Sequence, residues 1–279
     1  MRLIISRKGF DSAAGGCPSP VFADGSFVSL PIPDKQSPIH YADIQQQGIN
    51  LGELLAELTG DRDWPRRGAH LDPDLLAGSL TRRPGWRPLL GQTAAAQGHL
   101  AGQGVTSGDL FLFFGLFRHA ERTAQGYRFV PGSRAFHACW GWLQIGDIVS
   151  VDQLGKKDLP WARYHPHFFR GPEKNNTLYL ATERLRIPGS RKRRAGAGVF
   201  PGLAPGQILT APDSTGVSRW RLPLCFYPQG GMPSLSYHTN PARWDRDDQY
   251  CYLKTSRGQE FVIDIAGREG IGDWLRGMF

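Results

Sequence analysis

The sequence predicts a β-rich α+β fold with a mixed or barrel-like central sheet, short peripheral helices and long Gly/Pro-rich loops. Three observations predict it. Short apolar and aromatic runs bounded by turn residues recur along the chain, which is the pattern of buried strands. Gly 35 and Pro 21 make up about 20% of the 279 residues, against an average near 12%, so the chain turns often. Only one stretch, residues 51–58, spaces its leucines as a helix does.

In chain order, Leu3-Ile-Ile5 reads as a buried strand feeding a loop that ends in Gly15-Gly16. Asp24-Gly25 between Val21-Phe22 and Phe27-Val28 predicts a hairpin with a type I′ turn. Residues 51–58 form the helix just described, and 61–104 read as a Pro-, Gly- and Arg-rich surface insert with a short helix at 73–80. The aromatic run from Gly108 to Phe117 predicts a central strand. Further strands are expected at 127–130, 138–145, 147–151, 176–181, 222–227 and 259–264, with a basic loop at 188–206 and a terminal helix at 271–275. No repeat or linker divides the chain, so a single domain over 1–279 is expected.

Composition narrows the function classes. A chain of this length buries about three quarters of its unfolded surface and needs no disulfide or structural zinc for a core. Hydrophobic residues at 40% and charged residues at 21% exclude a disordered chain. No stretch approaches the ~20 apolar residues of a membrane span, and the apolar start at Leu3 is too short for a signal peptide. Cys17, Cys139, Cys225 and Cys251 are widely spaced and read as reduced thiols of a cytoplasmic protein. The formal charge is +8, and the cations are 26 Arg to 7 Lys. The planar Arg fork suits phosphate, so a polyanionic partner is favoured, although a GC-rich genome would give the same ratio.

Four places carry candidate chemistry. In Ser6-Arg-Lys-Gly-Phe-Asp-Ser12 and Gly15-Gly16, the cations Arg7 and Lys8, the Ser12 hydroxyl and glycine amides suit a phosphate, with Asp11 as an acid or base. The spacing is that of neither a P-loop nor GxGxxG, and a plain strand-to-turn connection is the alternative. His165-Pro-His167 in extended backbone would point both imidazoles one way, toward a substrate or a divalent metal. A metal needs a third ligand from His238, His137, Asp11, Asp34 or Glu260. The loop from Ser234 to Trp244 offers Tyr237 and Trp244 for base stacking, Arg243 for phosphate and His238 for proton transfer. Arg257-Gly-Gln-Glu260 delivers Gln259 to read a polar edge and Glu260 as an acid or base. Half-buried structural histidines, a packed turn and a solvated strand edge are the plainer readings of the last three.

The phrases Ser6-Arg-Lys-Gly-Phe-Asp-Ser12, Gly15-Gly-Cys-Pro-Ser-Pro20, Leu30-Pro-Ile-Pro-Asp34, Gly141-Trp-Leu-Gln-Ile145, His165-Pro-His167, Asn176-Thr-Leu-Tyr179, Leu235-Ser-Tyr-His238 and Arg257-Gly-Gln-Glu-Phe-Val262 together resemble the third family of nucleotide-modification-associated domains. The resemblance covers essentially the whole chain and implies a link to modified DNA bases or nucleotides. It does not extend to the insert at 61–104 or to the basic run. A fainter likeness concerns fold alone: Gly108 to Phe114 and Trp140 to Val149 are similar to the strand pair of PUA-like barrels, which hold flipped or modified bases.

Three function classes follow. The first is a base- or nucleotide-modifying enzyme, a transferase or glycosidic-bond enzyme. In it Arg7, Lys8 and the Gly-rich loop hold phosphate, Asp11, Asp34 or Glu260 act as acid or base, and His165, His167 and His238 orient or protonate substrate. The second is a non-catalytic reader of modified nucleic acid, with Arg191, Lys192, Arg193 and Arg194 as a salt-sensitive phosphate clamp. The third is a metal-dependent oxygenase or hydrolase centred on His165 and His167. The expected partner is DNA or a nucleotide; the cofactor stays open, with a divalent metal as one alternative, and so does the oligomeric state.

Overall fold

A computed structural model describes residues 1–171, 173–228, 235–255 and 258–279. Along the chain the strands are β1 (Arg2–Arg7), β2 (Ser19–Val21), β3 (Gln45–Gln46), β4 (Ile49–Asn50), β5 (Leu89–Gln92), β6 (Leu110–Thr123), β7 (Gly126–Phe129), β8 (Phe136–Ser150), β9 (Thr177–Ala181), β10 (Ala197–Val199), β11 (Arg219–Pro223), β12 (Trp244–Arg246), β13 (Tyr250–Lys254) and β14 (Glu260–Asp264). The helices are α1 (Leu51–Thr59), α2 (Ala94–Gly102) and α3 (Glu269–Met278).

Nine strands form one mixed sheet in the order β14-β1-β6-β8-β9-β5, with β2 and β7 also on β6 and β10 on β8. Strands β1 and β2 run parallel to β6, and the other pairs are antiparallel. The order has two ends, so among the described residues the sheet is open and closes no barrel, and the expected mixed sheet is the form taken. The PUA-like likeness therefore finds no barrel here. Central β6 reads as an unbroken apolar run because residues 110–115 are buried on both faces.

A second core cluster supports one wall of the sheet's upper end. Asn50 caps α1 by accepting from the Gly52 and Glu53 amides at 3.0 and 3.1 Å, and Gly60 ends it in the left-handed region at φ 75°. Leu51, Leu54 and Leu55 of α1 pack with Tyr41, Trp64 and Phe10. Phe10 stands 5.5 Å from the Trp64 ring, which anchors the loop that follows β1.

Several local expectations change. At 22–26 only Gly25 has a positive φ, 81°, so the turn is not type I′, and Val21 meets Phe27 through one isolated bridge. The helix expected at 73–80 is a single 3₁₀ turn, Ala77–Ser79. The stretch 61–104, expected on the surface, supplies the sheet's edge strand β5 and helix α2, with Leu89, Leu90 and Leu100 fully buried. The strands expected at 138–145 and 147–151 are one strand, β8, carrying an irregularity between Ile145 and Asp147. The strand expected at 222–227 ends at Pro223 and gives way to the 3₁₀ turn Leu224–Phe226. Part of the basic loop, Ala197–Val199, pairs with β8. All four cysteines are free thiols, and among the described residues no helix is long and apolar enough to cross a membrane.

Candidate functional site

A cleft of about 270 Å³ opens where β1 ends. Arg7, Lys8 and Gly9 leave β1 into it, Gly91 and Gln92 come from β5, and His70, Asp72, His167, Arg170, Asp11 and Gln259 complete the wall. This volume is close to the low end of small-ligand pockets, roughly 300–1,000 Å³. A larger hollow of about 620 Å³, lined by Phe22, His119, Phe136 and Arg221 among others, has no carboxylate in its wall and none of the candidate residues.

Backbone pairing sets the floor of the cleft. Asp74 bridges to Leu89, which places Asp72, two residues earlier, opposite Gly91 of the antiparallel β5 segment. The Gly91 amide donates to Asp72 Oδ1 at 2.7 Å. Three imidazole Nε2 atoms face the same buried carboxylate: His165 at 3.5 Å from Oδ1, and His70 and His167 each at 3.6 Å from Oδ2. Their outer nitrogens are held. His70 Nδ1 lies 2.8 Å from Asp34 Oδ2, and His167 Nδ1 lies 2.7 Å from Asn176 Oδ1. Asn176 Nδ2 in turn donates to the His167 carbonyl at 2.8 Å, which orients the amide. The His167 ring lies against the Gly91 backbone so closely that a Cβ at 91 would overlap it. Ligand atoms of His70, Asp72 and His167 lie within 4.8 Å of one another, a set that suits a metal ion.

Electrostatics follow from burial and these contacts. Burial opposes the Asp72 charge, but the imidazoles of His165, His167 and His70 outweigh it and hold the carboxyl well below the usual range. Burial disfavours protonation of His70, yet Asp34 and Asp72 raise it above the ordinary imidazole value. The His70 contact lowers Asp34 to about 2. Burial lowers His165, against the pull of Asp72.

Glu260, the first residue of β14, is 1% exposed. Its Oε1 lies 3.3 Å from Lys8 Nζ and accepts a short hydrogen bond from the Gln92 amide. Burial raises its pKa, and Lys8 opposes the rise. Glu260 does not line the cleft; it stands behind Lys8 and Gln92 and fixes both.

The structure brings together Arg7, Lys8, Asp11, Asp34, His165, His167, Gln259 and Glu260 around this one cleft, with Asp34, His165 and Glu260 one layer back. The histidine pair reaches it by a different route from the extended one expected: His165 caps the 3₁₀ turn Pro166–Phe168. The Gly-rich loop spends its amides internally. Asp11 Oδ1 accepts from the Ala13 and Ala14 amides at 2.7 and 2.8 Å, the Gly16 amide donates to the Asp11 carbonyl, and Asp11 is paired with Arg7. Ser12 is exposed, and neither it nor Gly15 or Gly16 lines the cleft.

Other candidates lie elsewhere. His238 packs edge-on to Phe261 with centroids 4.6 Å apart, and burial lowers it to about 4. Tyr237 stacks on His99 at 4.2 Å. Trp244 is buried and donates to the His238 carbonyl at 2.7 Å, while Arg243 donates to the Lys254 carbonyl. Arg191, Lys192, Arg193 and Arg194 are exposed, and Arg194 reaches the Phe279 carbonyl. Ser234 and Arg257 lie outside the described residues. The sequence reading missed His70, Asp72, Gly91, Gln92, Arg170 and Asn176. The i, i+2 spacing of His70 and Asp72 was the available signal, since it is the spacing that singled out His165 and His167.

All of these cleft residues fall inside the span, residues 2–264, that matches the model of nucleotide modification associated domain 3. The chain belongs to that family. The match agrees with the resemblance carried by the sequence phrases and goes further: it takes in all fourteen strands, with 61–104 and the basic run at 191–194, to which that resemblance does not extend, and stops before α3. Membership of nucleotide modification associated domain 3 links the chain to nucleotide modification, with a nucleotide or DNA as the implied substrate. No curated protein and no solved structure matches the chain.

Proposed function

We propose that the chain is an enzyme that modifies a nucleotide or nucleic-acid base, by group transfer or at the glycosidic bond, within the cleft at the end of β1. The observation that carries this reading is the convergence of a buried, charged carboxylate, several imidazoles and three cations on one small hollow. A protein that only reads a base needs cations and a stacking surface. It gains nothing from burying Asp72 among three imidazoles, an arrangement that costs desolvation and is suited to moving protons or binding a cation.

In this reading Arg7, Lys8 and Arg170 neutralise phosphate oxygens at the cleft wall. Glu260 keeps Lys8 extended and holds the Gln92 amide, while Gln92 and Gln259 present polar groups to a base edge. Asp72 and His167 line the cleft and handle the proton, and Asp34 and His165 position His70 and Asp72 from behind. The cleft admits a single nucleotide, so a base in duplex DNA would have to be flipped out to reach it.

The test is mass spectrometry of nucleosides after incubation with deoxynucleotides, and separately with DNA, each with deproteinised cell extract as the source of donor. A mass-shifted nucleoside is expected with the wild-type chain and not with a folded Asp72→Asn variant. Tight binding of modified DNA with no product under any condition would replace this reading with the non-catalytic one.

A further inference from the structure

The hydrogen bonds around Asp72 determine which nitrogen of each imidazole carries its proton. Asn176 Nδ2 donates to the His167 carbonyl, so the amide presents its Oδ1 to His167 Nδ1, which must therefore donate. The Asp34 carboxylate likewise accepts from His70 Nδ1. A metal ion takes the neutral form of each ring, in which the lone pair sits on Nε2, and both Nε2 atoms stand 3.6 Å from Asp72 Oδ2. That separation is longer than the ~2.7–3.2 Å of a hydrogen bond, so the two imidazoles and the carboxylate oxygen stand around a gap.

His165 is arranged the other way. Its Nδ1 accepts from the His167 amide at 3.4 Å, so its Nε2 carries the proton and faces Asp72 Oδ1. Oδ1 also accepts from the Gly91 amide at 2.7 Å. Oδ1 thus takes the Gly91 amide, while Oδ2 faces His70 and His167 Nε2 at 3.6 Å. His165 is fully buried, and its Nε2 has no hydrogen-bond partner among the described residues, so the cluster is held apart by its frame and has not collapsed onto itself.

We propose that His70 Nε2, Asp72 Oδ2 and His167 Nε2 hold a divalent transition-metal ion on the floor of the cleft. Ligands ~2.0–2.2 Å from an ion stand ~3–3.5 Å from their neighbours in its shell, and the observed 3.6 Å separations close to that with small side-chain movement. Two imidazoles and one carboxylate suit Fe(II), Mn(II), Co(II) or Zn(II) and leave positions open. Those positions face the cleft, where Arg7, Lys8 and Arg170 supply positive charge, so they take water or an anionic oxygen of the substrate. Asp34 and Asn176 orient the two imidazoles from outside, and His165 with the Gly91 amide orients the carboxylate. This differs from the pair expected from sequence: His167 is a ligand, and His165 is a positioning residue.

The site is the one assigned above to nucleotide chemistry, but its metal is measured without substrate, so the two readings fail in different experiments. Chelator-treated full-length protein is dialysed against Co(II), Mn(II) or Zn(II), and anaerobically against Fe(II), and its bound metal is counted by elemental analysis. One equivalent of at least one ion is expected, with a rise in unfolding temperature as the ion binds the folded state alone. His70→Gln and His167→Gln weaken binding 100-fold or more. Asp34→Asn, outside the coordination shell and therefore a milder change to the fold, weakens it roughly 10–100-fold. Less than a tenth of an equivalent of every ion on folded wild-type protein, or unchanged affinity in the folded variants, overturns the assignment.

Discussion

Asp72 and Asp74 stand two residues apart, flank the same cis proline at Pro73 and carry side chains only 4% and 0% exposed, yet their surroundings differ in kind. Asp74 is gripped by Arg82 through two contacts of 2.6 Å and accepts from the Tyr164 hydroxyl at 2.5 Å. Arg82 also donates to the Ala77 and Leu76 carbonyls and to the Ser79 and Tyr164 hydroxyls, and it lies over the Trp86 ring, 4.4 Å from its centroid. Every partner is at hydrogen-bond distance, and the result is a closed structural cluster. Around Asp72 the nearest imidazole nitrogens stop at 3.5–3.6 Å, beyond hydrogen-bond distance. A fold able to satisfy one aspartate fully leaves its neighbour's second oxygen 3.6 Å from the nearest imidazole nitrogens. That contrast separates a buried charge that holds structure from one that awaits a ligand.

The largest effect that would sharpen the contrast is on stability. Arg82→Leu leaves Asp74 buried without its counter-ion and is expected to cost ~3–5 kcal/mol in denaturant unfolding. Asp72→Asn in chelator-treated protein keeps an acceptor for the Gly91 amide and loses only the charge that imidazoles at 3.5–3.6 Å favour, so its cost is expected to be ~1–2 kcal/mol, below that of Arg82→Leu. Equal losses from the two substitutions would erase the distinction.

A steric comparison comes next. Gly91→Ala drives a methyl group into the His167 ring, with an expected destabilisation of ~1–3 kcal/mol and loss of metal binding. Gly98→Ala, in α2 with open space around its Cβ position, is expected to stabilise by up to ~1 kcal/mol and leave metal binding unchanged. If Gly91→Ala bound metal as the wild type does, the close approach of ring and strand would have no part in the site.

The smallest effect is in the pH dependence away from the cleft. His137 accepts from Trp220 Nε1 at 3.0 Å, and burial, with Arg7 adding to it and Asp11 opposing, lowers it to about 4. Between pH 4 and 6.5 the unfolded chain therefore binds more protons there than the folded one, and stability falls as pH drops through that window. His137→Gln keeps an acceptor without the titration, and its stability should change less with pH between 4 and 6.5. Asp34, depressed to about 2 chiefly by His70, loses its contribution only at lower pH, between its unfolded value near 3.8 and about 2. An unaltered pH slope in His137→Gln would assign the acid sensitivity to other buried histidines, His238 first, since burial lowers it to about 4 as well.

The sheet was largely legible because its strands are dense and local in sequence. Leu3-Ile-Ile5, the run from Leu110 to Phe117 and Gln259 to Asp264 each announce a buried strand within a few residues. Strand β5 is four residues long, follows Pro88 and contains Gly91, so nothing in its pattern separates it from the loops around it. The candidate site was only half legible for a related reason. His165 and His167 advertise themselves by spacing, but their meeting with His70, Asp72 and Asn176 depends on where β5, β9 and the turn after Ala69 lie in space. Composition also misled: the Pro- and Arg-rich stretch that reads as surface carries both Asp72 and Asp74.

The account is tested most directly by anomalous diffraction from crystals of the full chain equilibrated with Co(II). It predicts one anomalous peak ~2.0–2.3 Å from His70 Nε2, Asp72 Oδ2 and His167 Nε2, and no ion between Asp74 and Arg82. An empty space between those three side chains at saturating Co(II) would contradict it.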